Sequence, residues 1–176
     1  MRIGICGTQC SGKTTLAKHI ANCELIPALL DLAGQFDNRH LMSTQIDIAN
    51  YQMQSEWEHR GGFVSDRTIF DNIAYQSYLD PQFKFFHKMY PKYYDHLQRC
   101  SYDLVVFVDE YFPIEDTGHR SINIEQQSYV YYFLKTRVPE YTRSASIPLV
   151  CVCGSTEHRY DMICDFLRTR LKYECD

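Results

Sequence analysis

The sequence predicts a single α/β domain built on a five-stranded parallel sheet with helices on both faces. Short apolar segments alternate with amphipathic segments along the chain, which is the pattern of repeated strand–helix–strand units. The 176 residues contain no internal repeat and no Gly/Ser-rich linker that would divide them. A chain of this length normally forms one domain with its own core. We therefore expect one domain over residues 1–176.

Charge and composition argue against several classes of protein. The chain has 18 Lys and Arg against 22 Asp and Glu, so it lacks the concentrated positive charge of a non-specific nucleic-acid binder. No apolar run approaches the roughly 18 residues of a transmembrane helix. Because no export signal is recognisable, we expect a cytoplasmic protein whose 8 cysteines are reduced. The compact length and the Cys- and Tyr-rich composition would also suit an enzyme encoded by a virus or phage.

Hydrophobic patterning places the individual elements. Apolar runs predict strands at 1–6, within 24–32, and at 63–66, 102–108 and 147–153. Helical spacing of apolar residues predicts helices at 12–21, 43–59, 68–79, 81–100, 124–138 and 156–171. Ser43 or Thr44 is the expected N-cap of the second helix, and Pro91 is expected to break or kink the fourth.

The most specific motif lies between the first strand and the first helix. Residues 7–14, Gly-Thr-Gln-Cys-Ser-Gly-Lys-Thr, match the Walker A pattern G-x-x-x-x-G-K-[ST] at every fixed position. In such a loop, backbone N–H groups turn inward around phosphate oxygens, and the following helix adds the positive end of its dipole. Lys13 is expected to reach the β and γ phosphates, and the Thr14 hydroxyl to ligate Mg²⁺. The predicted ATP-binding residues here are Gly7, Cys10, Ser11, Gly12, Lys13, Thr14 and Thr15.

Two acidic positions compete for the second contact to Mg²⁺. Asp66 ends the strand 63–66 and is followed by Arg67. Asp109-Glu110 comes directly after the apolar run 104–108 and looks like a Walker B motif with an activating glutamate. The first choice would accompany a kinase, and the second an ATPase or switch protein.

The stretch 62–68, Gly-Phe-Val-Ser-Asp-Arg-Thr, followed by 71–75, resembles the Asp-Arg motif of P-loop nucleoside and nucleotide kinases. Thymidylate kinases carry Asp-Arg at this place, whereas deoxynucleoside kinases carry Glu-Arg. The segment 30–33 resembles the acidic residue after the second strand in bacterial nicotinamide riboside kinase-like proteins, although Gly34 stands where that family has Arg. The segments 116–121 and 153–159 resemble the arginine-bearing lid and the loop beside the nucleotide base.

The resemblance implies a role for each of these residues. Asp66 would hold Mg²⁺ or orient the acceptor, and Arg67 would bind an acceptor phosphate or bridge to the donor. Asp31 would accept a proton from an acceptor hydroxyl. Arg120, in a mobile lid around 113–123, would close on the transferred phosphate. Gly154 would lie beside the ATP base.

Each role has a plainer alternative. Asp66 and Arg67 could form a helix cap and a surface ion pair, Arg120 could be a solvated charge, and Asp31 a turn residue. Gln54 and Trp57 are three positions apart and could share a helix face near the acceptor. Core packing or a homodimer face would explain the many aromatic residues as well as base stacking would.

We therefore hypothesise a small transferase of nucleotide metabolism, an ATP- and Mg²⁺-dependent kinase of a nucleoside or deoxynucleoside monophosphate. The Asp66-Arg67 pair favours the monophosphate, and the Asp31 region favours a hydroxyl acceptor; of the two, we prefer the monophosphate at this point. The alternative is an ATPase or switch module that uses Asp109-Glu110 to activate water. No Asn-Lys-x-Asp sequence is present, which argues against a GTPase.

Overall fold

The computed structural model confirms a five-stranded, entirely parallel sheet. It describes residues 1–31, 35–36, 38, 40–82, 84, 86–113 and 123–171. The strands are β1 Arg2–Cys6, β2 Ala28–Leu29, β3 Phe63–Asp66, β4 Leu104–Val108 and β5 Leu149–Val152. Their order across the sheet is β2-β3-β1-β4-β5.

Six α-helices connect and follow the strands among the described residues. They are α1 Lys13–Glu24, α2 Met42–Glu58, α3 Ile69–Leu79, α4 Phe86–Arg99, α5 Ile124–Ser144 and α6 Thr156–Phe166. A π-helical turn, Leu167–Leu171, continues α6. None of the helices in the described part of the chain is long and apolar enough to cross a membrane.

Proline accounts for two differences from the predicted boundaries. The second strand shrinks to two residues because Pro27, directly before it, has no N–H to give to a neighbouring strand. By contrast, α4 is not broken at Pro91, and α5 continues past 138 and through Pro139. A proline removes only one intrahelical donor, so flanking turns that are well packed can carry a helix through it.

Helix starts differ from the sequence prediction in one case and agree in another. The N-cap of α2 is Leu41, with extended backbone and no side-chain cap, so the prediction of Ser43 or Thr44 was wrong. At α3, Thr68 caps the helix and forms a capping box with Asp71.

Alternating side chains of the strands divide the core between the two faces of the sheet. On one face, Ile3, Ile5, Val106 and Val152 pack against α1 and α6 through residues such as Leu16, Ile20 and Ile163. On the other, Phe63, Val105 and Phe107 pack against α3 and α5 through Phe70, Val130 and Leu134. The predicted helices on both faces are thereby confirmed.

The strand order determines where a ligand can bind. From the central strand β1 the chain moves first to β2 and β3 on one side, and later to β4 and β5 on the other. In parallel sheets the crevice at such a reversal, outside the carboxyl ends of the strands, is the usual binding site. The loops after β1, β3, β4 and β5 all open at this edge.

Candidate active site

The loop between β1 and α1 has the backbone geometry of a phosphate cradle. Gly12 adopts φ 83° and is the N-cap of α1, so the loop turns sharply into the helix. The backbone angle favours glycine here, and a Cβ at this position would lie 2.9 Å from Nη1 of Arg159 and displace that guanidinium.

Three consecutive loop carbonyls accept hydrogen bonds from other elements. The oxygen of Gln9 accepts from Gln127 Nε2 at 3.0 Å, that of Cys10 from Phe112 N at 2.9 Å, and that of Ser11 from Arg159 Nη1 at 2.7 Å. In a trans peptide the C=O and the following N–H point in opposite directions. The N–H groups of Cys10, Ser11 and Gly12 are therefore directed away from these donors, as a phosphate-binding loop requires.

Lys13 and Asp71 hold the two ends of the loop. The Lys13 ammonium donates to the Thr8 carbonyl at 2.8 Å and lies 3.5 Å from Ser11 Oγ. Gly7 N donates to Asp71 Oδ1 at 3.1 Å, while Asp71 Oδ2 accepts from Thr68. The capping pattern Thr-x-x-Asp at the start of α3 is the sequence signal that could have identified Asp71 as an anchor of this loop.

Thr14 and Asp66 meet at the start of α1. Thr14 Oγ1 donates to Asp66 Oδ2 at 2.5 Å, and Asp66 is 2% exposed. Burial raises the pKa of Asp66, and the positive charge of Lys13 and the hydrogen bond from Thr14 oppose that shift. A hydroxyl and a carboxylate side by side are oxygen ligands of the kind that Mg²⁺ prefers, so this pair fits the metal that the motif implies.

Arg67 follows β3 in a strained conformation. Its φ of 124° lies in a region that non-glycine residues rarely adopt. The buried guanidinium lies 4.5 Å from the centre of the Tyr75 ring, with Nη1 3.4 Å from Asp31 and Nη2 3.5 Å from Gln45. These two polar contacts are long, and Nε has no partner among the described residues. The Arg67 guanidinium thus lies beside the site and is held by long polar contacts.

An open cavity adjoins Asp31 and Asp66. It is lined by Leu29, Leu30, Asp31, Ile48, Tyr51, Gln52, Ser55, Ser65 and Asp66. The four positions from α2 are three or four apart and so share one helix face. Two carboxylates line the cavity, and none of the nine lining residues is cationic.

Gln52 joins the cavity wall to the turn at Arg67. Its Nε2 donates to the Arg67 carbonyl, to Glu56 Oε1 at 2.8 Å and to Ser65 Oγ at 3.2 Å. Its Oε1 accepts from Asn72 at 3.2 Å. Gln52 is not among the predicted site residues, and three of its four contacts lie 13 to 20 positions away along the chain.

The structure does not bring Gln54 and Trp57 to the cavity. Gln54 pairs with Glu58 at 2.9 Å on the exposed side of α2, and Trp57 is 44% exposed beneath the Arg60 guanidinium. Gln54 is two positions from Gln52, and Trp57 is two positions from Ser55, so each is rotated by about 200° around the helix from that cavity residue. Tyr51, Gln52 and Ser55 line the cavity, where Gln54 and Trp57 were expected.

The Walker B-like residues Asp109 and Glu110 bind side chains of α5 and α6. Asp109 Oδ1 accepts from Tyr131 at 2.7 Å and from Lys135 at 2.9 Å, both on α5. Glu110 Oε1 accepts from Arg159 and, at 3.1 Å, from the backbone N–H of Gly154. The structure places Asp66 rather than either of these carboxylates against Thr14.

The remaining predicted site residues are placed as follows. Thr15 is exposed on α1, and Gly154, with φ 89°, begins the turn into α6. Arg120 and most of the predicted lid at 113–123 lie outside the described residues.

Residues 2–159 match the family model of an AAA domain. The chain belongs to this AAA domain family. No curated protein matches the sequence significantly. Solved structures of deoxyadenosine kinase from M. mycoides share the fold, with TM-scores of 0.69 for the complex with dCMP and a flexible dCDP, 0.65 with dCTP and 0.59 with dATP. Each is 15% identical in sequence and covers 96% of this chain and 100% of the kinase chain.

These similarities confirm the resemblance to P-loop nucleoside and nucleotide kinases at the level of the fold. The AAA domain match covers the phosphate loop, the Asp66-Arg67 turn and the Walker B-like pair. At 15% identity the structural similarity assigns no substrate.

Proposed function

We propose that this AAA domain protein is an ATP- and Mg²⁺-dependent kinase that phosphorylates a hydroxyl group of a nucleoside. The observation that carries the proposal is the cavity beside Thr14, which is lined by Asp31 and Asp66 and, among the described residues, by no cationic side chain. Such a cavity suits a neutral acceptor with a hydroxyl to deprotonate. The fold shared with deoxyadenosine kinase supports the same class of reaction.

Electrostatics favour the nucleoside over the monophosphate. A phosphate monoester carries about −1.5 to −2 charges at neutral pH. Placed in this cavity it would face two carboxylates, Asp31 and Asp66. Among the described residues the compensating charges are Arg67, paired with Asp31, and Lys13, which acts on Asp66 and is needed at the phosphates of ATP. A nucleoside carries no such charge, so its binding needs only apolar contacts such as Ile48 and polar ones such as Ser55.

The described residues can perform the transfer as follows. Asp31 accepts the proton of the acceptor hydroxyl as its oxygen bonds to the γ-phosphorus of ATP, and the bond between that phosphorus and the β,γ-bridging oxygen breaks to release ADP. Lys13 stabilises the charge that develops on the phosphate oxygens. Thr14 and Asp66 would hold Mg²⁺, which supplies positive charge to the same oxygens. Arg67 keeps Asp31 oriented through their ion pair.

The monophosphate remains a second candidate because of one observation. The contacts of Arg67 to Asp31 and Gln45 are long, 3.4 and 3.5 Å, so the guanidinium could exchange them for an acceptor phosphate. Arg67 would then bind the acceptor rather than orient Asp31.

The experiment is ADP release from Mg-ATP with a panel of nucleosides and the corresponding deoxynucleoside monophosphates. Lys13→Ala serves as the blank, and Lys18→Ala, which changes an exposed lysine of the same helix, serves as the matched control. Stimulation by a nucleoside is expected. Stimulation by monophosphates alone would shift the assignment to the second candidate, and equal hydrolysis without any acceptor would support an ATPase instead.

A further inference from the structure

Glu110 and Arg159 form a bridge beneath the phosphate loop that the proposed reaction does not use directly. The Arg159 side chain rises from the first turns of α6 and is 3% exposed. Its Nη2 donates to Glu110 Oε1, and its Nη1 donates to the Ser11 carbonyl at 2.7 Å. A carboxylate that the sequence pattern suggests as an activator of water is therefore paired with an arginine that contacts the loop.

The bridge controls the direction of one peptide group. Nη1 of Arg159 holds the Ser11 oxygen, and peptide planarity then directs the Gly12 N–H to the opposite side. That N–H stands at the start of α1, where phosphate oxygens bind in loops of this type. Without the arginine, the 11–12 peptide would lose the contact that sets its orientation.

Glu110 in turn fixes the arginine. Besides Arg159, the carboxylate accepts from the Gly154 N–H, so it ties the ends of β4 and β5 to α6. Partial burial alone would raise the pKa of Glu110, but the hydrogen bonds from Arg159 and Gly154 outweigh it and lower the pKa. The carboxylate stays ionised and keeps the guanidinium in place.

We infer that Arg159 is a positioning residue for ATP, set by Glu110, and that the Walker B-like glutamate shapes the phosphate loop instead of activating water. The inference rests on the proposed function only in that the loop binds ATP. Loss of a charge-assisted hydrogen bond of this kind is expected to weaken ATP binding by about tenfold or more.

The test measures binding of Mg-ATP to the full chain by calorimetry, without any acceptor. Arg159→Met should weaken binding about tenfold, Arg159→Lys less, and the exposed control Arg137→Met not at all. Millimolar guanidinium chloride should restore part of the affinity in Arg159→Ala. A folded Arg159→Met protein that binds Mg-ATP within about twofold of wild type would overturn the inference.

A second control separates positioning from general stability. Ile163→Val removes one buried methyl group from the same helix and is expected to lower the melting temperature without altering the bridge. If that variant loses as much ATP affinity as Arg159→Met, Arg159 acts only through stability and the inference fails. Should Arg159→Met not fold, Glu110→Gln replaces it, and unchanged ATP affinity in that variant overturns the inference.

The outcomes also separate this inference from the proposed function. Wild-type protein that binds Mg-ATP but phosphorylates no acceptor would overturn the kinase and leave the role of Arg159 intact. Wild-type protein that binds no Mg-ATP would overturn both.

Discussion

Two strands of the sheet end in acidic residues, and their surroundings differ completely. At the end of β3, Asp66 is buried against Thr14 and faces a cavity. After β4, Asp109 and Glu110 are held by Lys135 and Arg159. Of these three carboxylates, Asp66 is the one that contacts the Thr14 hydroxyl. Contact with the phosphate loop and the cavity, more than its place at the end of a strand, therefore indicates which carboxylate serves the proposed reaction.

The largest effect should separate these two positions directly. Asp66→Asn removes a charged oxygen from the Mg²⁺ site and is expected to lower kcat at least about 100-fold. Asp109→Asn should leave kcat within about threefold, because its partners lie on α5. Steady-state ADP release with saturating acceptor measures both, and the reverse ranking would restore the ATPase interpretation.

A smaller effect should separate the two sides of α2. Gln52→Leu leaves the Arg67 carbonyl and Asn72 without their donor and acceptor, which is expected to cost about 1–3 kcal/mol of unfolding free energy. The matched change Gln54→Leu alters an exposed contact and should stay within about 0.5 kcal/mol. Urea unfolding gives both values. Equal losses would show that the contacts of Gln52 contribute no more to stability than the exposed contact of Gln54.

The pH dependence of Mg²⁺ binding should follow Asp66. Because burial raises the pKa of this carboxyl, protons compete with Mg²⁺ at a higher pH than at an ordinary aspartate. Mg²⁺ affinity of the ATP complex should therefore fall as the pH is lowered toward that raised pKa, and be constant well above it. Calorimetric titrations at a series of pH values measure this. An affinity independent of pH down to the ordinary range of aspartate would contradict it.

The pKa of Glu110 is shifted in the opposite direction from that of Asp66, so the two carboxyls affect stability differently as the pH changes. The pKa of Glu110 is lowered, so the stability that this carboxyl contributes is present above its unfolded pKa and disappears only as the pH falls through the lower, folded value. Asp66, with a raised pKa, reduces stability above its unfolded pKa, and that penalty shrinks as the pH falls. Melting temperatures of Glu110→Gln should accordingly converge with those of wild type in acid.

The smallest effect is expected at Trp57. Its ring lies on the exposed side of α2 with Arg60 above it, away from the cavity. Trp57→Ala should leave the KM for the acceptor within about twofold, whereas Tyr51→Ala should raise it. A marked rise of KM in Trp57→Ala would place the acceptor on the other face of the helix.

Strand 63–66 and the phosphate loop could be predicted because their signals are local. Phe63 and Val64 directly after Gly61-Gly62 identify β3, and the fixed eight-residue Walker A pattern identifies Gly7, Lys13 and Thr14. Helix faces were harder, because α2 has no strongly apolar stripe to orient it. The prediction named Gln54 and Trp57, whereas Tyr51, Gln52 and Ser55 line the cavity. Residue spacing does not determine how a helix is rotated about its axis, and that rotation decides which of these side chains face the cavity.

The partners of Asp109 and Glu110 could not be predicted at all. They lie 22 to 49 positions away, on helices whose rotation about their axes depends on packing against the sheet. Asp71 is an intermediate case, since the capping pattern was visible but its contact to Gly7, 64 positions away, was not.

Gln127, Phe112 and Arg159 donate to three carbonyls of the phosphate loop, and these contacts limit where the Walker A sequence can be transferred to another protein. Eight residues suffice to recognise the motif, yet its working shape depends on donors more than 100 positions distant along the chain. A peptide that contains only β1, the loop and α1 would keep the Walker A sequence, but it would lack the donors that set the conformation of the loop. Grafting the loop into another protein would succeed only where the host provides equivalent donors behind it.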